Sequence, residues 1–188
     1  PTRSGYVFDG WYTDENYTLE FDFDTAINED TKIYAKWEKE ITEITVIGIK
    51  APVAGEMPDV SGVTITTEGI TMGTIQWEKN GAKQNEVFED GTQYMLYVGY
   101  EVEEGYVLAN ELEYNPNITA EETREGVKWI GFYYTAKLPT YTVEFEVGEG
   151  SEVDSQIITA GEKAEKPVTD PTRSGYVFDG WYTDENYT

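Results

Sequence analysis

The chain has 188 residues, 39% of them hydrophobic and 14% aromatic, enough apolar surface for packed cores and an argument against global disorder. Asp and Glu number 37 against 13 Lys and Arg, and the net charge of −24 disfavours nucleic acid, heparin-like chains and anionic lipid as partners. Cysteine and histidine are both absent, which excludes disulfides, thiolate metal sites and thiol nucleophiles and removes the commonest general base.

The chain opens with PTRSGYVFDGWYTDENYT at 1–18, and the same string returns at 171–188. An 18-letter identity does not arise by chance in one small chain, so the expectation is a tandem array with a period of 170 residues, cut inside a repeat. Arrays of near-identical modules serve reach, display or multivalent contact more often than turnover. No apolar run approaches about 18 residues, so no membrane span is expected in this segment.

Next comes EFDFDTAINED at 20–30. Phe21 and Phe23 alternate with Asp22 and Asp24, which predicts a strand with the acids on its solvent face. Glu20, Asp22, Asp24, Glu29 and Asp30 offer oxygens that suit calcium, but no glycine sits where a tight chelating loop needs one. Ile33–Trp37 reads as a strand with Ile33, Ala35 and Trp37 on one face, and Glu38–Thr42 as a short linker.

Residues 41–139 read as a module of their own. Strands are expected at Ile44–Lys50, Gly62–Thr66, Gly73–Glu78, Gln93–Val102, Glu111–Tyr114 and Val127–Ala136. Turn signals fall between them at Gly55 with Pro58, Asn80-Gly81, Asp90-Gly91 and Glu104-Gly105. A short acidic helical turn is expected at Thr119–Glu125, opened by Thr119. Strands at this spacing indicate a β-sandwich. Lys137–Thr140 is a second linker. Beyond it, Tyr141, Val143, Phe145 and Val147 share one face of a strand, Val153–Thr159 forms the next, Ala164–Ser174 is a crossover containing Pro167 and Pro171, and Tyr176–Trp181 is a third strand.

GYVFDGWYTDENYT, the spaced FDFDT and the closing IYAKW resemble the Listeria–Bacteroides repeat, also called the internalin-type B repeat. The resemblance covers 140–188 and 1–38. It implies a small β-grasp-like module, placement on the outside of a Gram-positive or related cell, and a spacer or adhesive role without catalytic residues. The middle stretch, with APVAGEMPD, the lone Trp77 and FEDGTQYMLYVGYEVEEGYVLA, resembles the Ig-like modules interspersed with such repeats.

The fold expected is therefore mainly β: residues 1–40 as the C-terminal part of a B-type β-grasp-like repeat, 41–139 as an Ig-like β-sandwich, and 140–188 as the N-terminal part of the next repeat. No catalytic, cofactor-binding or metal-binding residue is expected, and no enzyme. Alternation assigns Trp11, Trp37, Trp77, Trp129 and Trp181 to the core, which leaves stacking on sugar rings as the minor reading. Lys50, Lys128, Asn110 and Asn115 are the residue types of a Lys–Asn isopeptide crosslink. Asn16-Tyr17-Thr18, Asn117-Ile118-Thr119 and Asn186-Tyr187-Thr188 fit the glycosylation pattern and carry no weight. The partners expected are neighbouring copies of the same repeat, with the tail of one copy completing the head of the next by strand addition. The function expected is a stalk, fibre or adhesin scaffold at a bacterial cell surface or cell wall. The alternative is a carbohydrate- or host-protein-binding module of an adhesin or secreted hydrolase.

Overall fold

The computed structural model describes residues 1–186. Among these residues the chain is all β. In chain order the strands are β1 (Tyr6–Tyr12), β2 (Tyr34–Ile47), β3 (Thr64–Ile65), β4 (Ile70–Lys79), β5 (Ala82–Lys83), β6 (Gln93–Val102), β7 (Tyr106–Asn115), β8 (Ala120–Arg124), β9 (Val127–Thr135), β10 (Thr140–Val143) and β11 (Gln156–Thr159). The mainly β fold expected from the alternation is the fold observed.

Two sheets enclose the main core. One is antiparallel, in the order β5-β4-β6-β9-β8. The other is built on β2, which pairs antiparallel with β1 over Tyr34–Lys39, parallel with β7 from Lys39, and antiparallel with β3 at its end. Lys39 faces Tyr6 of β1 and Tyr106 of β7 together, so these two strands lie on opposite edges of β2.

The pattern of β6 shows why the sandwich forms. Tyr94, Leu96, Val98 and Tyr100 fall at alternate positions, and all four are buried. They share a core with Ile41, Ile44 and Val46 of β2 and with Ile130 and Phe132 of β9. Full burial of each such aliphatic side chain contributes roughly 1.5–3 kcal/mol. Ile41 and Ile44 are three apart yet both buried, because the β2–β7 register shifts between Ile41 and Glu43. Trp77 meets Phe88 edge-on at 5.3 Å and Tyr134 at 5.7 Å, and its indole N–H donates to the Asp59 carbonyl at 3.3 Å.

Four sequence expectations need correction. The stretch Glu38–Thr42 is no linker: it lies inside β2, which runs unbroken from the first repeat half into the sandwich. Thr119–Glu125 forms no helical turn, since Ala120–Arg124 is β8, zipped antiparallel to β9. The reason is the following pair, where Glu125 at φ 50° and Gly126 at φ 86° make a two-residue turn that fits a hairpin and opposes a helix. Third, Tyr176–Trp181 is not a strand; fourth, of the residues 20–24 expected as a strand only Glu20 and Phe21 pair, with Tyr12 and Trp11 of β1, and the chain turns at Asp22–Thr25.

Candidate interaction surfaces: two copies of one string

Among the described residues, the two copies of the repeated string share their glycine turns and aromatic contacts. Gly5 and Gly175 sit at φ 75° and 82°, and Gly10 and Gly180 at φ 156° and 159°. The amide of Tyr6 donates to the Arg3 carbonyl at 3.1 Å, and Tyr176 to Arg173 at 3.1 Å. Arg3 stacks over Tyr6 and Arg173 over Tyr176, with 3.6 and 4.0 Å to the ring centroids. Phe8 meets Trp11 edge-on at 5.5 Å, and Phe178 meets Trp181 at 5.2 Å. Turn residues and aromatic spacing are therefore sufficient to set the local shape.

The surroundings differ. The head copy has β2 beside it, with Phe8 against Trp37 at 5.4 Å and Lys36 bridging to Asp9 at 2.6 Å. That hydrogen bond to Asp9 holds the Lys36 ammonium above its ordinary pKa. The tail copy lies against the turn that follows β10. Thr172 and Ser151 exchange hydrogen bonds at 2.9 Å each, Arg173 bridges to Glu149 at 2.6 Å, and Phe145 packs on Trp181 at 5.0 Å. Val7 is 39% exposed and its twin Val177 is 94% exposed.

Each half also leaves apolar side chains uncovered. In the head these are Leu19, Phe23 and Ile27, the last two lining a shallow groove with Phe21 and Ile33. In the tail they are Tyr141, Ile157 and Val168.

The junction between head and sandwich is built. The Lys39 amide donates to the Gly105 carbonyl at 2.8 Å and the Glu40 amide to Gly5 at 3.0 Å, one to each neighbour of β2. The Tyr106 hydroxyl donates to Glu68 at 2.8 Å, and Lys39 Nζ donates to the other Glu68 oxygen. The Lys39 ammonium holds the Glu68 carboxyl below its ordinary pKa, with the Tyr106 hydroxyl adding to it. The Tyr106 ring lies over Gly69, where a Cβ would stand 2.2 Å from it. At the far end of the sandwich, the Lys137 carbonyl accepts from Ala54 at 2.8 Å and the Leu138 amide donates to Asp90 at 3.1 Å, while the next carbonyl, that of Pro139, accepts from Ala160 at 2.9 Å.

The residues weighed for chemistry fall as follows. Glu20, Asp22, Asp24, Glu29 and Asp30 are all exposed. Asp22 accepts from the Asp24 amide at 2.9 Å and the Thr25 hydroxyl at 3.3 Å, making a local turn. No cluster of three acidic side chains that could hold a metal occurs among the described residues. Lys50 donates to Asp59 at 2.6 Å and Ser61 at 3.3 Å, while Asn110 and Asn115 are exposed. Trp77 is buried and Trp11, Trp37, Trp129 and Trp181 are half-buried; none is exposed. The acceptor pattern at 186–188 extends outside the described residues.

One cluster escaped the sequence reading. Glu78 is 3% exposed on the outer face of the five-stranded sheet, and Arg124 clamps it together with Glu122. Arg124 stacks over Tyr97 at 4.2 Å and reaches Trp129 at 5.4 Å, and Gln76 donates to Glu78 at 2.6 Å. Its bonds to Glu78, then Glu122, push the guanidinium pKa upward. The signal was available: Arg124 is the single arginine between Arg3 and Arg173. It becomes readable only once residues 120–124 are placed in a strand beside β9.

Residues 1–36 and 141–188 match the Listeria-Bacteroides repeat domain. The chain is also similar along its whole length to two curated proteins of Evansella cellulosilytica. It is 26% identical over 189 aligned residues to one named "Putative membrane protein" and 28% identical over 189 to one named "Putative Gly-rich membrane protein". It spans 24% and 18% of those relatives' lengths. No solved structure matches it.

Proposed function

We propose that this chain is a non-catalytic structural segment of an extracellular bacterial surface protein, in which repeats and sandwiches alternate to make a stalk, fibre or adhesin scaffold. The observation that carries the reading is β2. A single strand closes the repeat half with Tyr34–Lys39 and supplies core residues Ile41, Ile44 and Val46 to the sandwich. Two units that share a strand cannot swivel independently, because each would have to break ladder hydrogen bonds. A spacer needs that property, and a ligand-binding or catalytic site does not require it. The acidic surface keeps neighbouring arrays apart in solution. The names of the longer relatives fit attachment to a membrane through parts of the protein beyond this segment. The carbohydrate-binding alternative lacks an exposed tryptophan platform among the described residues.

Small-angle scattering on arrays of one, two and three 170-residue periods tests the reading. The maximum dimension is expected to grow in proportion to the number of periods, with a cross-section that stays constant. Growth close to that of a flexible chain, roughly as the square root of length, would overturn the spacer.

A further inference from the structure

Asn80 is the one asparagine of the chain that is followed by glycine. The pair makes the turn between β4 and β5, with Asn80 at φ 53° and Gly81 at φ 78°, the left-handed conformations that a two-residue hairpin turn demands. Both residues are exposed. The hairpin pairs Glu78 with Lys83 and Lys79 with Ala82, so the Gly81 amide lies outside the ladder. Among the described residues the Asn80 side chain has no hydrogen-bond partner, and a Cβ built on Gly81 would meet nothing within 4 Å. We propose that Asn80 is a site of spontaneous modification, at which the Gly81 nitrogen attacks the Asn80 side chain and water then converts it to aspartate and isoaspartate.

The reaction needs only water and a base from solution. The Gly81 N–H loses its proton, its nitrogen bonds to Cγ of Asn80, and the Cγ–Nδ2 bond breaks as ammonia leaves with a proton. The product is a five-membered cyclic imide. Water opens it at either carbonyl. Attack at Cγ restores the ordinary backbone, with aspartate at position 80. Attack at the main-chain carbonyl leaves the chain running through Cβ and Cγ, which is isoaspartate. Either way ammonia is exchanged for water, a mass gain of about 1 Da with one added negative charge. Glycine favours the closure because no side chain hinders the approach of its nitrogen and its backbone reaches conformations closed to other residues. The ring cannot form without leaving the turn geometry, and here departure is cheap. β5 has two residues, is held by two pairs and lies at the edge of its sheet.

The consequence falls on the segment that covers Trp77. The Gln84 amide donates to the Trp77 carbonyl at 2.8 Å, and Phe88 packs edge-on against the indole. Aspartate keeps the backbone of the turn. Isoaspartate inserts one extra backbone carbon, and a two-residue turn with that insertion no longer holds β5 in register.

The site lies wholly within the sandwich, so its chemistry stands or falls independently of the spacer role. The 188-residue chain is aged in mildly alkaline buffer and fragmented for mass spectrometry. The gain of about 1 Da should appear first in the fragment that holds Asn80 and Gly81, and faster as the pH is raised. Asn85 is exposed in the same loop but precedes Glu86, which makes it the internal reference. Asn80 reacting no faster than Asn85 overturns the site. The products carry the second test, because direct hydrolysis of an exposed amide gives aspartate alone, whereas the cyclic imide gives both aspartate and isoaspartate. Aspartate without isoaspartate therefore overturns the attack by Gly81. Finally, the isoaspartate fraction is compared with the Asn80→Asp variant by hydrogen exchange. Amides 82–84 should exchange about ten-fold faster in the isoaspartate form, the loss of roughly one hydrogen bond, and at the unmodified rate in Asn80→Asp. Equal exchange in the two overturns the loosening of β5.

Discussion

The head and tail copies of PTRSGYVFDGWYTDENYT are a controlled experiment within one molecule. Both make the Arg–Tyr stack, the Phe–Trp edge contact, the same backbone turn at the first glycine and the Tyr-to-Asp hydrogen bond, at 3.3 Å for Tyr12 and 2.8 Å for Tyr182. One copy is a strand and the other is not. Local sequence therefore specifies local shape, and strand identity comes from the neighbour. A strand has no hydrogen bonds of its own to close, unlike a helix, so its existence belongs to the pair.

Giving the tail its missing neighbour should remove the difference, and this is the largest effect expected. If the chain is extended beyond Thr188 by the sequence of residues 19–38, amides 176–182 should become as protected from hydrogen exchange as amides 6–12, slowing by about a hundred-fold or more. Tail amides that keep exchanging freely would show that the string carries some further difference.

Next in size is a change remote from both copies. Arg124→Ala leaves Glu78 buried without its cation; because Arg124 is one-third exposed and Gln76 still donates to Glu78, the loss should be about 2–3 kcal/mol, below that of a fully buried pair. Since β1 rests on β2 and β2 belongs to the sandwich, exchange protection of residues 6–12 should fall together with that of β6. The amides of β10–β11 should be unaffected.

Trp37→Ala is a smaller and more selective change. Trp37 is half-buried, so its loss should cost roughly 1–3 kcal/mol, less than a fully buried tryptophan. It removes the ring against Phe8 and should raise exchange at 6–12 while leaving 176–182 unchanged.

The smallest effect is electrostatic, at the junction that makes the head different from the tail. Glu68 has a depressed pKa, so its contribution is present above its ordinary value of 4.5 and is lost as the pH falls through the lower, folded-state value. Lys39 is raised, so its contribution is present below 10.5 and is lost as the pH climbs through its higher, folded-state value. Both side chains are exposed, and solvent screens them. Glu68→Gln should flatten the acid limb of a melting-temperature profile by a small margin, with no change in the tail.

The strands of the sandwich were largely legible in the sequence. Gln93–Val102 is bounded as the alternation indicated, since Tyr94, Leu96, Val98 and Tyr100 mark one face without interruption. The interior assignment of Trp77 holds for the same reason. Ala120–Arg124 was misread because Ala-Glu-Glu-Thr-Arg carries no apolar period, and the Glu125-Gly126 turn was the signal left to decide it. The continuity of β2 was hidden by the change of module at its centre, because charged Glu38–Glu40 resembles a linker when its partner strands are unknown. The tail strand was misread because its twin's partner was silently credited to it. The repeated string was legible at once, while the side chains left uncovered in each half emerged only from the packing.

The unbroken β2 has a mechanical consequence. β1 and β2 are antiparallel and joined by a loop at the Tyr12–Tyr34 end, so a pull that enters at Tyr6 opens the β1 ladder pair by pair, whereas load passing along β2 beyond Lys39 meets the parallel ladder to β7 in shear. Tension that would bend an ordinary hinge is carried at this junction by continuous backbone, and at the other end of the sandwich the chain stays held through Leu138, whose amide donates to Asp90.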